Sequence, residues 1–387
     1  MYKFVHATRM IEKRYFMKKI VLVRSNPVEP DSRVEKEANS LCKAGYEVTL
    51  FGWDRESNYC IKKDKKKLLD YEVDRFCVGA KAGFGAGFKS LLPYLKFQIL
   101  LFCWILKNRK NYDVFHFCDF DTAFTGSKVC KIFRKPFVFD IFDYLSTDAA
   151  TTFQKIIKRL EDNIINQANA TIICTENRRL QIKQTNPKNL TVIHNSPPEY
   201  TGEKNGNINN ERIKLVYVGV LLDHRMLEEL LQVVSELPEM ELHIGGFGKF
   251  EELVKKYANE NENIIFHGKL PYDQTIELEK NCDIMTAIYA PYIGNHKYAA
   301  PNKFYEGLML GKPLLMVKGT GMSEYIDKYD IGALIDYSKE GLVAGIQGLC
   351  KRRNEWENMS IRMRELYRKE FSWTEMEYRL QELYKNL

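Results

Sequence analysis

The segment from Tyr298 to Pro313 reads YAAPNKFYEGLMLGKP and places Pro301, Asn302, Lys303 and Glu306 at the head of an apolar helical pattern that stops at Gly311-Lys312-Pro313. A helix N-terminus leaves backbone N–H groups unpaired and carries a partial positive charge, which suits an anion. Lys303 adds a point charge for a phosphate, and Glu306, one turn on, can accept hydrogen bonds from a pair of sugar hydroxyls. Phosphate and diol together describe a nucleotide. An ordinary amphipathic helix with a solvated Lys and Glu has the same spacing.

A second set of residues concerns backbone rather than charge. Gly245-Gly246-Phe247-Gly248 follows an apolar run and precedes a helical one, where glycine permits a tight turn or close approach of a ligand to the main chain. It does not match G-x-G-x-x-G, and neither does Arg24-Ser25-Asn26-Pro27 after the first apolar run. A dinucleotide-dependent dehydrogenase is therefore disfavoured.

These residues need elements to position them. At 387 residues, 45% apolar and 28% charged, the chain has the composition of a globular protein with two domains of roughly 150 to 200 residues. Its nine cysteines are scattered without a C-x-x-C pair, which argues for reduced thiols in a cytosolic chain and against a zinc knuckle or disulfide scaffold. Residues 1–16 lack the apolar core and cleavage site of a secretory signal and read as an extension ahead of the first strand. The run Leu91 to Leu106, LLPYLKFQILLFCWIL, is too short to span a bilayer. It reads as a buried helix, with a membrane-surface helix as the alternative.

Strand and helix patterns alternate through both halves. Strands are expected at 19–24, 47–52, 114–117, 137–139, 171–174 and 191–194, with helices at 32–44, 91–108, 122–133 and 152–168. After a polar insert the alternation restarts, with strands at 214–219, 241–245, 263–267 and 282–288 and helices at 226–236, 249–258 and 273–280. The expected organisation is α/β: an extension (1–16), a first Rossmann-like domain (17–198), a linker (199–212) and a second Rossmann-like domain (213–370). Both sheets are doubly wound and face each other across a ligand-binding cleft.

Charge is unequal between the halves. Residues 1–200 carry 34 Lys and Arg against 22 Asp and Glu, and the remainder 24 against 29. The basic half includes Lys62, Lys63, Lys65, Lys66 and Lys67, which point to an anionic partner or, more simply, to a solvated loop.

The chain from Met17 onward resembles the retaining glycosyltransferases of the GT-B fold, family 4. The resemblance rests on PDSRVEKEANSLCKAGYEVTLFGW, on Asp113-Val114-Phe115-His116 and on VIHNS in the first half. In the second half it rests on VYVGVLLDHRMLEELL, on ENIIFHGKLPYDQTIELEKNCDIMTAIY and on the closing FSWTEMEYRLQELY. The last of these resembles a C-terminal helix, here 371–387, that crosses back onto the first domain. The pattern AAPNKFYE resembles a polysaccharide-assembly subgroup with P-x-K-x-x-E.

The resemblance implies transfer of a sugar from a nucleoside-diphosphate sugar to a glycan or lipid-linked acceptor, with retention and with no metal or other cofactor. It assigns Arg225 and Lys303 to the leaving diphosphate. It assigns Glu306, Asn302, Tyr298, Gly219, Phe247, Gly248, His267, Lys269 and Leu270 to the donor, and Asp140, Asp143 and Asn26 to the acceptor. Three positions depart from the family. Val220 stands where an arginine is usual, and Arg225 where a lysine is. Tyr298 replaces the first of two paired glutamates, and a phenol is no carboxylate at neutral pH. Phe142 replaces a histidine on the acceptor side. Asp119-Phe120-Asp121 matches the metal-binding D-x-D of the other glycosyltransferase fold, but lies in the half opposite the nucleotide signals. The expected setting is cytoplasmic, with peripheral contact at the inner face of a bacterial membrane and no nucleic acid partner. An epimerase or hydrolase of the same fold, or a non-catalytic sugar-nucleotide or glycan-binding subunit, are the rival readings.

Overall fold

The computed structural model describes residues 17–56, 61–81, 91–145, 151–200 and 212–387. The expected extension and most of the expected linker lie outside the described residues. The chain forms two compact units, one running to Ile193 and including Glu377–Leu387, the other spanning His194–Met376.

The first unit contains β1 (Lys19–Val23), β2 (Glu47–Asp54), β3 (Ile61–Lys67), β4 (Glu72–Gly79), β5 (Val114–Cys118), β6 (Phe137–Ile141), β7 (Ala170–Ile173) and β8 (Leu190–Val192). They form one sheet in the order β3-β4-β2-β1-β5-β6-β7-β8. Every neighbouring pair is parallel except β3 with β4. Runs such as VFHFC in β5 and FVFDI in β6, apolar but for His116 and Asp140, are buried along their whole length, as a sheet covered by helices on both faces requires. The chain winds outward first through β2 and later through β5, so the direction switches beside β1.

Two findings correct the sequence reading here. The lysines at 62, 63, 65, 66 and 67 are in strand β3, antiparallel to β4 at the sheet edge, not in a loop. Neither β3 nor β4 was expected; IKKDKKK has no apolar alternation to reveal β3, and EVDRFCVG carries Asp74 and Arg75 inside β4. A lysine-rich edge is a device against edge-to-edge pairing. The helix Leu91–Asn108 is only half buried. Phe97 stacks on Trp53 at 4.5 Å and Trp104 lies 4.5 Å from Phe51, while Leu92 and Ile99 are each 62% exposed.

The second unit contains β9 (Ile213–Val220), β10 (Met240–Phe247), β11 (Ile264–Phe266), β12 (Ile284–Ala287), β13 (Leu314–Val317) and β14 (Gly332–Ile335). All are parallel, in the order β11-β10-β9-β12-β13-β14. Apolar layers cover both faces: Leu230, Leu231, Ile244 and Ile346 on one, Phe304, Leu308, Met316 and Phe371 on the other.

The unit boundaries fall at 193/194 and 376/377, where 198/199 and 370/371 were expected. Polar anchors explain the shift. His194 Nδ1 lies 2.9 Å from the Tyr305 hydroxyl, and Tyr367 donates to the Pro197 carbonyl at 2.8 Å, so the segment after Ile193 belongs to the second unit. In the first unit, the Tyr384 hydroxyl lies 2.8 Å from His116 Nδ1, and Arg379 donates to the Val192 carbonyl at 3.2 Å. Among the described residues no helix is long and apolar enough to cross a membrane.

Candidate functional site

The winding direction of the second sheet reverses between β9 and β12, and open parallel sheets bind ligands at the carboxyl ends of their strands at such a switch. A cavity of about 280 Å³ opens there, lined among others by Gly219, Arg225, Tyr289, Asn302 and Lys303. A larger cavity, of about 440 Å³, borders Phe137 and Asn169 at the amino ends of β6 and β7 in the first unit, the wrong end of a parallel sheet for a ligand.

Two cations meet the switch-point cavity, and their surroundings differ. The Arg225 guanidinium lies over the Tyr289 ring at 3.8 Å, an attractive geometry for a planar cation. His296 steadies it from the side. Because His296 Nδ1 sits 3.0 Å from the Ala290 carbonyl, that nitrogen carries the hydrogen, which leaves Nε2 to accept from Arg225 at 3.4 Å. No carboxylate among the described residues forms an ion pair with Arg225.

Lys303 stands in the first turn of the helix Asn302–Leu310, whose start carries no side-chain cap. Its ammonium is held by two carboxylates, Glu279 at 2.6 Å and Glu306 at 2.7 Å. Burial opposes the charge on Lys303, but Glu306 and Glu279 outweigh it and raise its pKa. Burial first, and Glu306 second, push Glu279 up to about 8 although Lys303 pulls the other way. The second oxygen of Glu279, Oε2, is buried with no hydrogen-bond partner. Glu306 is 2% exposed and does not line the cavity, so its carboxylate faces Lys303 and not the open space. Its oxygens are taken up by Lys303 and by the Tyr272 hydroxyl.

The remaining donor-side residues fall into two groups. Asn302 receives a hydrogen bond from Asn195, whereas Tyr298 ends the short 3-10 turn Gly294–Tyr298 and does not line the cavity. Phe247, Gly248, His267, Lys269 and Leu270 gather at the carboxyl ends of β10 and β11. Lys269 lies over the Phe247 ring at 4.9 Å. His267 meets His243 at 2.9 Å; burial and then His243 lower its pKa. Gly248 has φ +141°, and a Cβ there would stand 2.7 Å from the Leu221 carbonyl, so the turn itself demands glycine. Gly219 differs: an added Cβ would find only the Tyr217 side chain, at 3.7 Å.

In the first unit the three expected acceptor residues are not equivalent. Asn26 is committed to its own loop, donating to Asp31 at 2.7 Å and accepting from Val28 N–H at 2.7 Å. Asp140 is fully buried and pairs with Arg33 at 3.0 Å, so it anchors a charge network instead of presenting an open carboxylate. Burial would raise its pKa, yet Arg33 and His116 hold it below the ordinary value. Glu37, in the same network, is raised by burial and by Asp140. Asp143 is the open one, its side chain 67% exposed beside Arg178 at 3.2 Å. Phe142 packs under two guanidiniums, Arg24 at 4.3 Å and Arg33 at 4.8 Å. Asp119 accepts from the Phe142 and Asp143 backbone N–H groups and pairs with Arg24, which gives the D-x-D a structural task. His116, Cys118 and Asp140 lie close enough to hold a metal ion. Arg33 already supplies the positive charge at that place, so the trio fits an ion-pair network better than a cation.

Sequence reasoning missed Glu279, Arg24, Tyr289 and His296. Glu279 lies in ELEK, which reads as a solvated helix face, and only the fold turns it toward Lys303.

Residues 201–366 match the family model described as glycosyl transferases group 1. No curated protein matches the sequence significantly. Solved structures do. Sucrose-phosphate synthase from Thermosynechococcus elongatus superposes with a TM-score of 0.74 at 14% identity, covering 95% of this chain and 98% of that one. HepE of Anabaena in complex with UDP-glucose gives 0.68 at 12% identity, covering 95% and 100%. The E. coli trehalose-6-phosphate structure bound with UDP-2-fluoro glucose gives 0.69 at 11% identity, covering 95% and 98%. At these identities the likeness concerns architecture, and the fold is GT-B.

Proposed function

We propose that the chain is a retaining glycosyltransferase that moves a sugar from a nucleoside-diphosphate sugar to a glycan or lipid-linked acceptor. The observation that carries the reading is Arg225, a cation without a carboxylate partner among the described residues, facing the switch-point cavity beside the uncapped start of Asn302–Leu310. Loss of a nucleoside diphosphate leaves negative charge on its terminal phosphate as the anomeric carbon becomes positive. Fixed positive charge at that place lowers the barrier, and such preorganised electrostatics is often the largest catalytic term.

In this reading Arg225 offers its planar fork to two phosphate oxygens. Lys303 keeps two N–H bonds on Glu279 and Glu306 and turns its third to the phosphate. Free N–H groups of the first helical turn complete the cradle. Arg225 and the helix terminus together supply the charge that a divalent ion supplies elsewhere, and Lys303, its charge offset by two carboxylates, adds a hydrogen bond. Glu306 acts through Lys303, and the base is framed by Phe247, Gly248, His267, Lys269 and Leu270. On the acceptor side, Asp143 is placed to accept from a hydroxyl. The family match over residues 201–366 supports the class. Solved neighbours in complex with UDP or UDP-glucose make UDP the first nucleotide to try, and a lipopolysaccharide outer core galactosyltransferase is among the neighbours. They also favour a role in surface polysaccharide synthesis at the inner face of a membrane.

The test is thermal unfolding with UDP, GDP, ADP and dTDP, followed by product analysis with the matching sugar donor. Binding to the native state raises the melting temperature by mass action. Arg225→Ala is the clean probe, because Glu306→Ala would also break the buried carboxylate pair. Stabilisation by one nucleotide, lost in Arg225→Ala, supports the reading. Indifference to all four, or a shift that ignores Arg225, overturns it.

A further inference from the structure

The helix Leu91–Asn108 carries an apolar face that nothing in the described first unit covers. Leu91, Leu92, Leu95, Ile99 and Phe102 are 57%, 62%, 49%, 62% and 43% exposed. At 100° per residue these positions fall within one arc of roughly a third of the helix circumference. The opposite side, with Phe97, Leu101, Trp104 and Ile105, is packed on the sheet. Five large apolar side chains on one helix face exceed the scattered exposure normal for a protein surface.

Along this helix and the turn after it the charge has one sign. Residues 91–112 contain Lys96, Lys107, Arg109 and Lys110 and no Asp or Glu. The neighbouring helix Phe120–Phe133 runs alongside: Gln98 donates to the Asp121 carbonyl at 2.6 Å, and Arg109 lies over the Phe133 ring at 4.4 Å. Residues 122–139 contain Lys128, Lys131, Arg134 and Lys135 and again no acidic residue. Ile132 at the end of that helix is 70% exposed. In β3, Lys63 and Lys66 each have an acidic neighbour, Asp74 at 3.5 Å and Glu35 at 3.2 Å.

We propose that this face, Leu91 to Phe102 with its rim of Lys96, Lys107, Arg109, Lys110 and Lys131, docks the protein on an anionic phospholipid surface. The helix lies in the plane of the interface, its aliphatic and aromatic side chains among the acyl chains and its lysines at the headgroups. The sign of the rim selects this occupant. Two copies of the chain would bring like charges together around a shared apolar face, whereas an anionic bilayer complements them. Nucleic acid would satisfy the rim and leave the apolar arc in water. The surface is independent of the donor reading, so vesicle binding without any nucleotide tests it alone.

The full chain is sedimented with vesicles of phosphatidylcholine alone and with about a third phosphatidylglycerol, at low and high salt. The expected result is binding to the anionic vesicles that weakens with salt. Ile99→Glu with Leu92→Glu should reduce it at least tenfold, since a charge replaces each inserted side chain. Lys107→Glu should reduce it about fivefold or more, the worth of one lysine near an anionic surface. These positions are exposed, and an unchanged melting temperature would show that the variants fold. Failure to bind anionic vesicles would overturn the proposal. So would binding that survives the helix variants but is lost on reversing Lys62, Lys63 and Lys65, or a concentration-dependent dimer that Ile99→Glu dissociates.

Discussion

Replacing Lys303 with methionine should destabilise the second unit in a pH-dependent way. The substitution keeps an unbranched side chain one atom shorter and removes the ammonium from between two carboxylates whose side chains are 0% and 2% exposed. With Nζ 2.6 Å from Glu279 and 2.7 Å from Glu306, the two contacting oxygens are at most about 5 Å apart. Like charges at that separation repel by roughly 3 kcal/mol at an effective dielectric constant near 20. Removing one partner of a buried pair costs about 3–5 kcal/mol by a separate route. The two estimates agree. For a unit of this size each kcal/mol is worth about 2–4 °C, so calorimetry near pH 8 should show the transition of this unit lowered by roughly 6–20 °C. Unpaired buried carboxylates have raised pKa values, so they bind protons more readily folded than unfolded. The loss should therefore shrink as the pH falls toward about 5. Adding Glu279→Gln to Lys303→Met should recover at least half of it. A variant within about 2 °C of the wild type at pH 8, or a loss that Glu279→Gln does not relieve, would refute the account of Lys303 as a clamped cation.

Glu279→Gln alone should alter the pH profile of an otherwise normal protein. Its pKa is raised from the ordinary 4.5 to about 8, so its contribution to stability is complete below about 4.5 and lost as pH rises through about 8. The variant should lack that slope, a difference of up to about 1.4 kcal/mol per pH unit in denaturant melts. Arg225→Ala should leave the melting temperature within about 2 °C but weaken nucleotide binding roughly 10- to 100-fold by calorimetric titration, the worth of a charge-assisted hydrogen bond. Arg225→Lys should restore only part of this, because the planar fork is absent. Gly219→Ala should be near neutral for stability, given a nearest contact of 3.7 Å, while lowering nucleotide affinity at the cavity wall. Gly248→Ala, strained at φ +141° with a contact of 2.7 Å, should cost about 1–3 kcal/mol of stability by thermal melts. Asp140→Asn should cost about 3–5 kcal/mol by taking one of two carboxylate partners from the buried Arg33 and leaving it only Glu37.

The fold was legible wherever burial imposes periodicity. The expected strands and the helix at Leu91–Asn108 appear within a few residues of their places, because each is apolar along a face that packs, whereas β4, β13 and β14 were not foreseen. The sequence reading failed where burial is absent. Strand β3 holds five lysines and takes its extended shape from the ladder with β4, a partner that no local pattern names. The unit boundaries differ from the expected ones for a related reason. The sequence reading keeps residues 194–198 in the first domain, yet His194 and Pro197 are fastened by Tyr305 and Tyr367, more than 100 residues away in the chain.

The candidate site divides along the same line, and the division explains why its two cations differ. Arg225 and Lys303 can both be read as phosphate ligands from position alone, since each stands just beyond a strand end or at a helix start. Whether a cation is available to a ligand depends on what already faces it, and that is a property of long-range packing. Lys303 lies 24 residues from Glu279 in the chain, on a different helix, and only the wrapping of Tyr272–Lys280 beside Asn302–Leu310 brings them together. The same holds for Asp140, which looks open at a strand end but meets Arg33 from 107 residues away. A ligand diphosphate arriving at the cavity therefore encounters Arg225 as net positive charge and Lys303 as part of a cluster that its two carboxylates leave neutral or negative. It follows that affinity for the nucleotide rests mainly on Arg225, and that Lys303 gains weight only when Glu279 is protonated. Nucleotide affinity should then rise as pH falls from about 8 toward 6 in the wild type, and this dependence should be absent in Glu279→Gln. A flat profile in both proteins would mean that Lys303 and its carboxylates do not sense the ligand at all.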